Sequence, residues 1–352
     1  MKICLAPMDG VTDCAYRIVC KQIFELHKAP DDELMLWTEF MSADGYVHNP
    51  PWVIKHIQRS DYDHETIAQI FWGNTDTLIS CILDIEKKYD YAGIELNMWC
   101  PSPKIMKCAA GSGMLKDKQK TLAILKEIAW QIKIPFSLKT RIGLSQDDVQ
   151  DQFDFLVEAG KYVSTIWVHG RTYKQSHAGE VNRQFIYDLK KELPNHIIIG
   201  NWGLRTYQDG LDKAGNLDGI MPAQWAIGNP WILTPHTPTP EEVYKTIIYH
   251  LSLMTACELH FKASIKEYDH EKGLIQPNQK ELEDTVKQIR SWSLDVSEAH
   301  SPIEFRKYLF RYLLGLPNAK ALKKRIPAAR DYASLVGLLE EFFGGMEEIS
   351  SI

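Results

Sequence analysis

The chain has 352 residues, 45% of them hydrophobic and 24% charged, with a formal net charge of −6. That composition excludes a disordered or low-complexity chain, and the length suits one large domain followed by a smaller one. The acidic balance excludes a general nucleic-acid binder, since neutralising phosphates takes Lys and Arg, so an RNA ligand would need a local basic face.

In chain order, short apolar, β-rich runs occur at Ile3–Pro7, Leu34–Thr38, Ile67–Phe71, Gly93–Leu96, Phe136–Lys139, Thr165–Val168, Ile197–Gly200 and Asp218–Met221. Segments with helical periodicity, such as Thr121–Ile132 and Asp151–Ala159, separate them. Continuous apolar strands suit a parallel sheet covered on both faces. Strands alternating with helices over residues 1–239 predict the α/β class and a (β/α)8 TIM barrel. A doubly wound sheet is the alternative, weakened because no GxGxxG follows the first strand. The stretch Thr234–Pro240 (TPHTPTP) reads as a linker. Beyond it, periodicity over Glu241–Glu258, Gln279–Trp292, Pro302–Leu314 and Tyr332–Phe343 predicts a small helical domain over residues 240–352. Its basic run Lys320–Arg330 is either a solvated helix end or an RNA-contact face.

No uncharged apolar run reaches the roughly 18 residues of a membrane span. The opening MKICLAPMDG meets Pro7 and Asp9 before a signal-type run develops, so a cytoplasmic location is expected. The seven cysteines match neither a disulfide ladder nor a zinc pattern. No metal is expected either: His169 has no partner at ligand spacing, and His48, His56 and His64 share no motif.

Barrels of this type place chemistry at the C-terminal ends of their strands. There the sequence carries Pro7 and Met8, Glu39, Gln69, Asn97 followed by Cys100, Lys139 and Arg141, His169 and Arg171, Asn201, and Ala223–Gln224. A polar group at almost every strand end describes a polar rim around a pocket. Amides and cations of this kind suit a flavin, whose ring edge offers donors and acceptors. Lys139 or His169 would stabilise the negative charge that reduction builds there. The loops GNWGL (Gly200–Leu204) and PAQWAIGNP (Pro222–Pro230) occupy the usual phosphate positions.

The segments LAPMDGVTD, TEF, AQIF, ELNMWCPSPKI, GSGMLKD, KTRIG, VHGRT and IGNPW occur in order at these strand ends. Together they resemble the tRNA-dihydrouridine synthases over nearly the whole chain. The resemblance implies reduction of a tRNA uridine, with FMN as cofactor and NADPH as reductant. It places Pro7 and Met8 against the flavin, and Gln69, Asn97, Lys139 and His169 on its ring and ribityl chain. Asn201, Gly203, Ala223 and Gln224 would sit by the phosphate. Cys100 corresponds to the catalytic acid, and the loop Pro101–Asp117 to the segment that closes over the base. A neutral thiol, with an ordinary pKa of about 8.5, can deliver the proton that accompanies hydride addition. The target base must be flipped out of its stack. Glu39, Arg141 and Arg171 at the rim, and Arg306, Arg311, Lys320, Lys323, Lys324 and Arg325 in the helical domain, are candidate tRNA contacts. Which uridine is reduced stays open, as does the oligomeric state, for which a monomer is expected.

The chain departs from the family where Trp99 and Trp202 stand for glycine, where Trp225 falls on a small-residue position, and where Trp72 stands for an expected glycine. A Trp at a glycine that the flavin approaches closely should block the pocket or displace the backbone. Either the protein is a flavin-free tRNA binder, or these codons are UGA read as glycine in the source organism. Gln224 replaces the family's arginine beside the phosphate, and Ala223 its glycine. A different FMN barrel acting on free pyrimidines is the remaining alternative.

Overall fold

The structure is a computed structural model that describes residues 1–72, 74–98 and 111–350. Its strands are β1 (Lys2–Cys4), β2 (Glu33–Met35), β3 (Trp37–Ser42), β4 (Ile67–Phe71), β5 (Gly93–Asn97), β6 (Phe136–Arg141), β7 (Thr165–His169), β8 (Ile197–Asn201) and β9 (Gly219–Ile220). They form one sheet in the order β2-β1-β9-β8-β7-β6-β5-β4-β3, with every pairing parallel. β2 and β3 are one strand interrupted at Leu36. The amide of Leu5 donates to Met35 on one side of the break (3.0 Å) and that of Ile67 to Leu36 on the other (2.9 Å). The two edges therefore meet in a single chain segment, and the sheet closes as the expected eightfold barrel. The run expected to be continuous is divided where its pairing passes from β1 to β4, and a register shift between Trp37 and Phe40 follows.

Strand side chains alternate between the two faces of the sheet. One set, Cys4, Ala6, Trp37, Ile67, Trp167, Ile199 and Met221, packs as a separate cluster inside the barrel. Trp37 and Trp167 meet edge to face at 4.2 Å between ring centres and plug the interior. Two residues further along β4, β7 and β8 the same face carries Gln69, His169 and Asn201. The apolar plug is thus the floor on which a polar layer rests.

The outer layer contains α1 (Cys14–His27), α2 (Thr75–Lys88), α3 (Lys118–Gln131), α4 (Val149–Ala159), α5 (Arg183–Glu192) and α6 (Tyr207–Asp212). Five of these start at a side-chain N-cap: Asp13, Asn74, Asp117, Asn182 and Thr206 each accept a backbone N–H of the first turn. The helical region comprises α7 (Pro240–Ser264), α8 (Gln279–Arg290), α9 (Arg306–Tyr312), α10 (Ala319–Arg325) and α11 (Tyr332–Ser350). A capping box of Thr239 with Glu242, and Pro240 in the first turn, start α7 where the sequence placed the second domain. The predicted helix Pro302–Leu314 divides into Ser301–Glu304 and α9.

The segment expected as a linker is a packed connection. Thr234 is buried and donates to the carbonyl of Trp231, and the His236 ring stacks on His27 at 3.8 Å. α9 seats directly on the barrel mouth. The Tyr308 hydroxyl donates to the carbonyl of Val11, and the Tyr16 hydroxyl to that of Ala226. Gly228, at φ +59°, faces α9 so closely that a Cβ would lie 2.3 Å from the Tyr308 carbonyl oxygen, which leaves glycine as the residue that fits.

Candidate active site at the barrel mouth

The parallel register places the polar layer side by side. Gln69 lies beside Glu95, Asn97 beside Lys139, Arg141 beside His169, and His169 beside Asn201. Above this belt opens a cavity of about 510 Å³, within the size range of small-molecule sites. Pro7, Met8, Gln69, Asn97, Lys139, His169, Asn201, Gly203, Ala223 and Gln224 all line it. The ten residues assigned to a flavin from the sequence therefore share one cavity. Phe40, Arg171, His177, Arg205, Trp202 and Trp225 complete much of its wall.

Hydrogen bonds orient the deep end. The Asn97 amide donates to Gln69 Oε1 at 2.9 Å, and the Gln69 amide donates to a carboxylate oxygen of Glu95. Glu95 and Lys139 are both buried. Burial drives the Glu95 carboxyl up, against the pull of Lys139 and the Gln69 hydrogen bond. Burial likewise drives the Lys139 ammonium down, against the pull of Glu95. In this dry interior each charge is the main support of the other. Burial, reinforced by Arg141, Lys139, Arg171 and His177, holds the His169 imidazolium well below its ordinary range, so the ring is neutral at pH 7. The result is a positively biased pocket floor with oriented amides and a neutral imidazole. Such a set binds the polar edge of a planar heterocycle and stabilises negative charge developing there. At the far side the Asn201 amide donates to the Met221 carbonyl at 2.7 Å and ties the ends of β8 and β9 together.

The residues expected to contact tRNA divide. Arg171 lines the cavity, with its Nε donating to the Gly179 carbonyl at 3.0 Å. Arg141 has no exposed surface: its guanidinium donates at 2.9 Å to the carbonyls of both Thr172 and Ser176 and braces the loop after β7. In this structure Arg141, expected among the tRNA contacts, is an internal brace. Glu39 turns away from the cavity, accepts from the Gly10 amide and lies 3.5 Å from His56 Nδ1. It lines a second cleft of about 690 Å³ between the barrel and the helical region, together with Lys55, Lys262, His300 and Lys307. Asp9 borders both spaces. Arg306 is half-buried and donates to the Ala329 carbonyl at 2.6 Å. Arg311, Lys320 and Lys324 are exposed and Lys323 is half-buried, whereas Arg325 is held in a two-pronged pair with Glu341 at 2.6 and 2.7 Å. Cys100, Trp99 and most of the loop assigned to base closure lie outside the described residues.

Trp202 does not fill the pocket as expected. Its ring lies over Gly200, where a Cβ would come within 1.9 Å of it, and packs toward Leu217 in the layer between barrel and helices. The missing side chain at Gly200 is what accommodates it. Trp72 is also buried in that layer. Trp225 borders the cavity, with the Arg205 guanidinium 5.6 Å above its ring.

Sequence reasoning missed Glu95, His177 and Arg205. Glu95 was detectable: a lone carboxylate inside the apolar run GIELN, two residues before Asn97, must share that residue's face. His177 and Arg205 come from loops whose path no local pattern encodes.

A family model described as dihydrouridine synthase matches residues 4–308. The chain is similar to a probable tRNA-dihydrouridine synthase of Aquifex aeolicus, 25% identical over 97% of this chain and 95% of the relative. It is also similar to a tRNA-dihydrouridine(20/20a) synthase of Yersinia pestis, 25% identical over 65% of this chain and 67% of the relative. A tRNA-dihydrouridine synthase B of Pseudomonas syringae pv. tomato is 27% identical over 65% of each.

Proposed function

The chain belongs to the dihydrouridine synthase family, and on that premise we propose that it reduces a uridine of tRNA to 5,6-dihydrouridine, with FMN in the cavity at the barrel mouth and NADPH as reductant. The observation that carries this reading is the continuous belt of amide, carboxylate and cationic side chains beneath a single cavity at the strand ends.

That donor set fits a flavin. Gln69 and Asn97, locked to each other and to Glu95, hold the ring edge in one orientation. Lys139, supported by Glu95, would stabilise the charge that reduction builds on the ring, and neutral His169 would add a hydrogen-bonding group without a further charge. Asn201, Gly203, Ala223 and Gln224 receive the phosphate end, on the two loops that most often do so in barrels. When bound, the flavin supplies hydride to carbon 6 of the uracil ring. Cys100, three residues after Asn97 in the chain, supplies the proton to carbon 5 as a neutral thiol at cytosolic pH. Arg171 and Asp9 line the cavity that a flipped base would enter. The exposed cations Arg311, Lys320 and Lys324 grip the phosphates of the tRNA body. No helix among the described residues is long and apolar enough to cross a membrane.

The test is conversion of unmodified tRNA by the purified protein with FMN and NADPH, read as dihydrouridine by mass spectrometry, beside free uridine. Product in tRNA and none from free uridine is expected. Equal reduction of free uridine would transfer the protein to the free-pyrimidine class. Cys100→Ala should retain bound flavin and lose most turnover; undiminished single-turnover reduction of tRNA would remove Cys100 from the mechanism.

A further inference from the structure

The phosphate end of the cavity carries no charge from Gln224, yet a dianionic phosphate in a partly closed site calls for one. Among the described residues, the lining contains five cationic or imidazole side chains: Lys139, His169, Arg171, His177 and Arg205. Lys139 and His169 belong to the belt on the pocket floor, and Arg171 and His177 to the segment after β7. Arg205 alone belongs to the two loops that follow β8 and β9, the same loops that bring Asn201, Gly203, Ala223 and Gln224 to the cavity.

The Arg205 side chain is also placed. Its guanidinium lies 5.6 Å from the centre of the Trp225 ring, which comes from the other of the two loops, so the contact bridges them. A guanidinium held near a ring in this way keeps the paired N–H groups that match phosphate oxygens. Beside it Gly203 presents open backbone, with nothing within 4 Å of where a Cβ would stand. The Asp209 carboxylate, four residues on, pairs with Lys213, accepts from the backbone amide of Arg205 and feels the Arg205 charge, but no described carboxylate lies within ion-pair distance of the Arg205 guanidinium. The charge is therefore available to a ligand.

We propose that Arg205, oriented by the face of Trp225, is the phosphate-binding cation of this cavity and takes the role that an arginine at position 224 would otherwise fill. The inference rests on the reading that the cavity binds FMN, and it concerns only the phosphate end. A flavin without a phosphate therefore serves as the internal control. Dissociation constants of FMN and of riboflavin are measured on the flavin-free protein by quenching of flavin fluorescence. The unmodified protein should prefer FMN. Arg205→Ala should weaken FMN binding by about 10- to 100-fold, the loss expected for charged hydrogen bonds, and leave riboflavin unchanged. Restoring charge with Gln224→Arg in that background should recover most of the FMN affinity. Trp225→Ala should give a smaller loss, again for FMN alone. If the unmodified protein binds FMN more tightly than riboflavin and Arg205→Ala preserves that preference, the inference is wrong while the cofactor reading stands. If the unmodified protein binds neither flavin, the cofactor reading falls and this inference with it. No loss in Trp225→Ala would refute the orienting role of the ring.

Discussion

Trp292 stands at a backbone position made for glycine, and replacing it should raise stability. The helix α8 ends in a complete Schellman motif: the Trp292 amide donates to the Ile289 carbonyl at 3.1 Å and the Ser293 amide to the Gln288 carbonyl at 3.0 Å. The motif puts Trp292 at φ +59°, in the left-handed region. Residues with a Cβ pay roughly 1–2 kcal/mol there. The side chain offsets little of this, being 58% exposed, with one edge-on contact to Tyr332 at 5.7 Å; such a contact contributes about 0.5 kcal/mol when half solvated. Trp292→Gly should therefore stabilise the protein by about 1 kcal/mol. Trp292→Ala keeps the backbone cost and loses the ring, so it should destabilise by about 0.5 kcal/mol. Urea denaturation followed by far-ultraviolet circular dichroism measures both. A glycine variant no more stable than the alanine variant would refute the backbone argument. The gene supplies a second check. If UGA is read as glycine in the source organism, Trp292 joins Trp72, Trp99, Trp202 and Trp225 in being encoded by UGA, while Trp231 is encoded by UGG. UGG at all five would establish them as genuine tryptophans.

The joint between barrel and helical region should be acid-sensitive through His250. This ring is fully buried, stacks on Tyr16 and lies 3.1 Å from the Tyr312 hydroxyl, and burial with the nearby Lys307 lowers its pKa to about 3. Below about pH 6.5 the unfolded chain takes up a proton that the folded chain refuses, so stability is complete above that value and falls by about 1.4 kcal/mol per pH unit beneath it. His250→Phe should flatten this slope in denaturation measured from pH 7 to 4.5; an unaltered slope would assign the acid sensitivity elsewhere. Asp13 acts in the opposite sense, since burial raises it to about 6 and its contribution is lost as pH rises through that range. Removing the charges of Lys320 and Lys324 together should lower the slope of log affinity for tRNA against log salt by about 1.4 to 1.8. Arg141→Ala should leave that slope intact, because the side chain is buried and its guanidinium donates to the backbone carbonyls of Thr172 and Ser176. A reduced slope in Arg141→Ala would overturn its assignment as a brace.

Sequence alone determined the positions of most strands and which residues stand at their ends, because these follow from local periodicity; the break at Leu36 and the division of the helix predicted over Pro302–Leu314 did not show in it. Alternation along β4, β5, β7 and β8 put Gln69, Asn97, His169 and Asn201 on the inner face, and closure of the sheet then brought them around one cavity. Tertiary structure decided what depends on neighbours far apart in the chain. Trp202 turns outward because Gly200 leaves room for it, and Arg141 is spent on carbonyls over thirty residues away. Arg325 is occupied by Glu341, and Arg205 meets Trp225 across two loops. A residue's type and spacing state what it can bond to; which partner it takes is set by the closed barrel and the helices packed on it, where burial makes an unmade contact costly.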